Sequence, residues 1–162
     1  ELRKNYSQIP IKVKEVTIYT DGAAKGNPGR GGYGTILISG TKIKKISQGF
    51  LLTTNNRMEL LAVIIGLEAL NQKCKVTIYS DSKYVVDSIE KGWVFSWHKK
   101  GFISRRNADL WKRFLQVYQN HKVKFHWLKG HSGNKYNEMC DQLAVAAAEG
   151  HYLKEDLGYE PN

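Results

Sequence analysis

Two cysteines and three prolines are all that 162 residues contain of either type, and acidic side chains are outnumbered, 15 against 25 basic. Each shortage excludes something. Cys74 and Cys140 lie far apart without CxxC spacing. That excludes a disulfide framework or cysteine metal cluster and points to free thiols in a reducing compartment. No apolar run approaches the roughly 18 residues of a spanning helix, so no membrane partner is expected. The start, ELRKNYSQIPIKVK, lacks the continuous apolar core of a signal peptide, and a cytoplasmic location is the expectation. The acid deficit leaves a formal charge of +10, which favours a polyanionic partner, nucleic acid before membrane. The chain shows no internal repeat, and its length suits one domain with a sizeable core, expected as a monomer.

Glycine is not scarce. TDGAAKGNPGRGGYG, from Thr20 to Gly34, holds six glycines in fifteen residues. Gly29, Gly31 and Gly34 fit G-x-G-x-x-G, the dinucleotide-binding pattern, which requires a helix after the glycines. The segment in that place, Tyr33–Ser39, is β-branched and aromatic with no helical stripe, so it reads as a strand. No Lys-Ser or Lys-Thr pair closes a Walker loop either. The glycine-rich stretch reads instead as a tight turn between strands beside Asp21, open enough for a nucleic-acid backbone to approach.

Alternation places strands at 15–21, 33–39, 42–50, 75–80 and 122–127, with Gly40-Thr41 as the turn between the second and third. Helical spacing places helices at 57–70, 82–91, 107–119 and 137–149, the first preceded by capping residues Thr54, Asn55 and Asn56. Residues 93–106 read as irregular or a short helix. The order β-β-β-α-β-α-α-β-α predicts an α/β fold, a five-stranded mixed sheet with helices on its faces. The expected organisation is an N-terminal extension over 1–14, a domain over 15–149, and a loosely ordered C-terminal tail over 150–162.

Asp21 and Asp81 end two strands in near-parallel phrases, Ile-Tyr-Thr-Asp and Ile-Tyr-Ser-Asp. In open α/β sheets such ends face one crevice. Glu59 and Asp141 border apolar helical stripes. Carboxylates converging on one cleft raise each other's pKa, and a divalent cation relieves that conflict. An all-oxygen donor set suits Mg²⁺ or Mn²⁺ over zinc. The phrases TDGAAKGNPGRGGYG, TTNNRMELLAVIIGLEAL, YSDSKYVV and KGHSGNKYNEMCDQLA, in this order, resemble type 1 ribonuclease H, the bacterial ribonuclease HI kind. The resemblance spans roughly Val16 to Ala148. It implies a ribonuclease H-like fold and a metal-dependent endonuclease that cuts the RNA strand of RNA–DNA hybrids, leaving 5′-phosphate and 3′-hydroxyl ends. The family's four catalytic acids fall on Asp21, Glu59, Asp81 and Asp141, and its loop histidine falls on His131. Two Mg²⁺ ions, with Mn²⁺ as a substitute, are implied cofactors held by the four acids, Asp21 bridging both. Glu138, one turn before Asp141, is a candidate outer acid.

Asn27, Thr54, Asn55 and Asn56 supply short polar groups suited to 2′-hydroxyl, phosphate and minor-groove contacts. Lys83 stands where many relatives carry glutamine; lysine holds phosphate but cannot accept from a hydroxyl. In WVFSWHKKGFISRR, Trp93, Trp97 and Phe102 interleave with Lys99, Lys100, Arg105 and Arg106. By resemblance this is the family's basic protrusion, shorter here, which grips the DNA strand. Two rivals stay open at this point. One is a catalytically silent nucleic-acid-binding module, against which intact carboxylates argue. The other is a ribonuclease H domain cut from a longer polyprotein such as a reverse transcriptase.

Overall fold

The computed structural model describes residues 13–161. Residues 1–12 of the expected N-terminal extension, and Asn162, lie outside the described residues. Strands β1 (Lys14–Gly26), β2 (Gly29–Ser39) and β3 (Lys42–Thr53) form an antiparallel meander. Helix α1 (Asn55–Glu68) leads to β4 (Cys74–Ser80), then α2 (Lys83–Glu90), α3 (Trp93–Lys99) and α4 (Ala108–Tyr118). β5 (Lys122–Trp127), α5 (Lys135–Glu149) and β6 (Leu153–Lys154) complete the chain. The sheet order is β5-β4-β1-β2-β3-β6, with β4 parallel to both β1 and β5. It is the expected α/β sheet with one strand more than the five expected.

That sixth strand corrects the loose tail. Leu153 and Lys154 pair in parallel with Gly49 and Phe50 of β3. Two residues later, Asp156 accepts from both Nε and Nη2 of Arg57 at 2.6 and 2.9 Å, and from Thr53 Oγ1 at 2.7 Å. Arg57 also donates twice to Asp109, at 2.8 and 2.7 Å, and once to Asn107. Its guanidinium is buried, and only this ring of acceptors allows a charge to sit there. The Asp109 and Asp156 hydrogen bonds overcome the penalty of burial and push its pKa upward.

α1 is buried almost all round, from Arg57 to Leu67, because it runs between the sheet and α4. A single apolar face was the expectation; a helix with two packing partners needs apolar residues on both sides. Thr54 caps it, its hydroxyl accepting from the Arg57 amide at 3.3 Å.

The glycine-rich segment differs most from expectation. β1 does not stop at Asp21. It continues to Gly26, pairs with Gly29, and turns through Asn27-Pro28 alone. These glycines lie in strands, and the bare Cα atoms of Gly22, Gly32 and Gly34 face helix backbones. A Cβ at Gly22 would stand 2.3 Å from the Glu59 nitrogen, and one at Gly34 would stand 2.4 Å from the Cys140 carbonyl oxygen. The close approach is therefore made by α1 and α5 of the protein itself, in place of the nucleic-acid backbone expected at these two positions.

Candidate active site

Those two contacts assemble the acids. The β1–β4 ladder ends at Thr20–Ser80, so Asp21 and Asp81 leave neighbouring parallel strands at one level. Gly22 brings Glu59 of α1 against Asp21, and Gly34 brings Cys140 of α5, hence Asp141 next to it, onto β2. Asp21, Glu59 and Asp81 each present a carboxylate oxygen within 4.8 Å of the others. Asp141 stands outside that trio but lines the same cleft of about 420 Å³, with His131 and Lys83. His131 is exposed with φ 56, in the loop between β5 and α5. Its neighbour Gly130 lies close to Asp81. Glu138 is exposed in the first turn of α5 and does not line the cleft.

Electrostatics in the cleft are strained. Burial, then repulsion from Asp81 and Asp141, pushes the Asp21 carboxyl up to about 7, despite a 2.9 Å bond from the Gly22 amide. Burial and the neighbouring Asp21 push Glu59 well above the usual carboxylate range, and burial raises Asp81. Glu59 Oε2 is buried with no hydrogen-bond partner among the described residues. An orphaned buried oxygen among mutually repelling carboxylates, with no nitrogen or sulfur donor in the trio, fits a hard divalent cation.

A second cleft, about 470 Å³, joins residues from four separate segments. Asn27, Thr54, Asn56, Arg105 and Arg106 line it together with Asn107. Asn27 Oδ1 also accepts from the Asn55 amide at 3.2 Å, tying the hairpin tip to α1. Asn107 was not expected here. It precedes α4 with φ 62 and donates to Tyr84 Oη at 3.0 Å. The legible signal was asparagine's tolerance of left-handed backbone at a helix start.

The basic segment has the expected apolar anchor. Phe102 is buried, and Trp97 packs edge-on against core Trp111 with centroids 6.0 Å apart. Arg105 stacks 5.0 Å from Trp97, while Lys99, Lys100 and Arg106 are exposed. Trp93, also exposed, carries Lys91 over its ring. Trp127 is the other residue that sequence reasoning passed over. Its Nε1 donates to the Asp81 carbonyl at 3.1 Å, and its ring lies 4.8 Å beneath the Lys83 ammonium.

A mixed sheet that gathers carboxylates beside clefts lined with asparagine and arginine defines a nuclease. The chain belongs to the RNase H family, whose family model matches residues 13–149, and it is a type 1 member. The Ribonuclease H of Desulforamulus reducens is 53% identical over 150 residues, which cover 90% of this chain and 94% of that protein. LC9-RNase H1, described as a type 1 RNase H with the type 2 active-site motif, superposes with a TM-score of 0.78 at 29% identity. The match covers 88% of this chain and 75% of that one. LC11-RNase H1, solved in complex with an RNA/DNA hybrid, shares the fold at 22% identity and a TM-score of 0.57, over 83% of this chain and 96% of that one.

Proposed function

We propose that this protein is an endonuclease that hydrolyses the RNA strand of RNA–DNA hybrids, leaving 5′-phosphate and 3′-hydroxyl ends. The observation that carries it is the trio Asp21, Glu59 and Asp81, with oxygens within 4.8 Å of one another and one of them buried without a partner. These acids, with Asp141, would hold two Mg²⁺ ions, or Mn²⁺ in their place. Such cations supply Lewis acidity for water activation and for the charge on the leaving oxygen. The chain's own groups do the rest. His131, exposed on its loop at the cleft mouth, takes up or hands on a proton at its imidazole. Lys83, held over Trp127, offers its ammonium to a phosphate at the rim.

Asn27, Thr54, Asn55 and Asn56 present donors and acceptors to 2′-hydroxyls and phosphates. Thr54 and Asn27 do so alongside their capping and tethering duties. Lys99, Lys100, Arg105 and Arg106, with Trp93 and Trp97 beside them, grip the DNA strand by charge. The hybrid bound to LC11-RNase H1 supports this substrate class. A reducing cytoplasm goes with the reading, supported by two free, buried cysteines, and a monomer is proposed with it. No described helix is long and apolar enough to cross a membrane.

Strand-labelled RNA–DNA, RNA–RNA and DNA–DNA duplexes, incubated with and without Mg²⁺, test the proposal. RNA in the hybrid should be the only strand cut, and only with the cation. Equal cleavage of the DNA–DNA duplex would overturn the substrate assignment, and undiminished cleavage in chelator would overturn the metal assignment.

A further inference from the structure

One face of the sheet is only partly roofed. α5 lies across β1, β2 and β3, so the same face of β4 and β5 stays open. The register aligns three rows there: Glu15, Lys75 and Lys122; Thr17, Thr77 and Lys124; and Tyr19, Tyr79 and His126. The last row is a stack. His126 lies 5.2 Å from Tyr79 with a 20° tilt, Tyr79 lies 4.8 Å from Tyr19 with a 12° tilt, and Tyr136 of α5 closes the inner end 5.1 Å from Tyr19. The outer end is open. β5 is the terminal strand of the sheet, and His126 is exposed. Lys75, Lys122 and Lys124 are exposed on the same face, where Glu15 lies 4.0 Å from Lys75. Tyr19 and Asp21 are two residues apart in one strand, so this face runs into the carboxylate cleft.

We propose that the open face of β4 and β5 binds single-stranded nucleic acid, with a base continuing the ring stack on His126 and phosphates held by Lys122 and Lys124. Stacking on an aromatic ring accepts any base, and lysines beside it track the backbone, which is the chemistry of a single-strand platform. A hybrid with an unpaired extension would find a second hold here, continuous with the cleft. The surface is independent of hydrolysis: it would bind a strand whether or not the acids cut one.

The test is fluorescence anisotropy with a labelled oligothymidylate across a salt series in chelator, alongside blunt-ended hybrid cleavage in Mg²⁺. Lys122→Ser with Lys124→Ser should flatten the log–log salt slope of single-strand binding by about 1.4, at 0.7 per phosphate neutralised. His126→Ala should weaken it roughly 5- to 150-fold. Blunt-hybrid cleavage should keep the parent's rate in both variants, which also shows that they fold. Lys42→Ser with Lys44→Ser, exposed on distant β3, removes the same charge and should leave single-strand binding near the parent's. Unchanged single-strand binding in the β5 variants, an equal loss in the β3 control, or a parallel loss of blunt-hybrid cleavage would each overturn the proposal.

Discussion

Asp21 holds its proton to about pH 7 in the folded chain, against an ordinary value of 3.8 for the free group. Between those limits the folded state binds more protons than the unfolded one, so stability falls as pH rises and the penalty is complete above about 7. Asp21→Asn removes the penalty and one repelling charge. In chelator at pH 8 its melting temperature should exceed the parent's, while at pH 4 the two should agree; thermal unfolding at both pH values checks this. The same variant should bind hybrid and fail to cut it, and near-normal turnover in Mg²⁺ would sink the two-cation assignment. His131→Ala should slow turnover by about 10²–10⁴-fold without abolishing it, because the acids remain. A variant as dead as Asp21→Asn would move His131 to an indispensable role. All four acids and His131 were legible as residue types in order. The crevice shared by Asp21 and Asp81 was legible from their strand ends; the means by which Glu59 and Asp141 reach it was not, since sequence does not show that Gly22 and Gly34 bring two helices onto one strand pair.

At the scale of elements, the docking of α1 on β1 is set by one missing methyl. Gly22→Ala would drive a Cβ to within 2.3 Å of the Glu59 nitrogen, a backbone atom that has to move. Overpacking of this kind costs about 1–3 kcal/mol. It should also pull Glu59 from Asp21, so urea unfolding and hybrid cleavage should both deteriorate. The α3 segment acts differently. Replacing Lys99, Lys100, Arg105 and Arg106 together by alanine leaves Trp97 and Phe102 seated and the acids untouched. KM should rise with little change in kcat. The salt slope of affinity should flatten by about 0.9 for each phosphate no longer neutralised, if the hybrid behaves like B-DNA. An unchanged slope and KM would make the segment a solvated face. Strand alternation and caps such as Thr54 were readable, because they are local patterns. The extension of β1 past Asp21 was not, because strand pairing with β2 carries it through residues of low strand propensity.

On the scale of the whole molecule, the tail closes an ion cluster begun a hundred residues earlier. Arg57 is 2% exposed and Asp156 8%. Asp156→Ala would leave a buried guanidinium with Asp109 as its one remaining carboxylate among the described residues, and breaking such pairs costs about 3–5 kcal/mol. Denaturant unfolding should show the loss, and a change within error would mean that β6 alone secures the tail. Nothing near Asp156 in sequence announces this partner. A lone aspartate in a polar segment reads as surface, and only the fold brings it to Arg57.

The unequal lengths of β1 and β4 have a consequence in time as well as in space. From Thr17 to Thr20, β1 is paired on both sides; from Asp21 to Gly26 it is paired with β2 alone. Amide hydrogen exchange should divide the strand there, the first part opening only with global unfolding and the second through smaller, more frequent excursions. Asp21 stands at the boundary. Its amide should exchange more slowly than those of the hairpin tip, where the Asn27–Asn55 bond is the link to α1 that each excursion has to break.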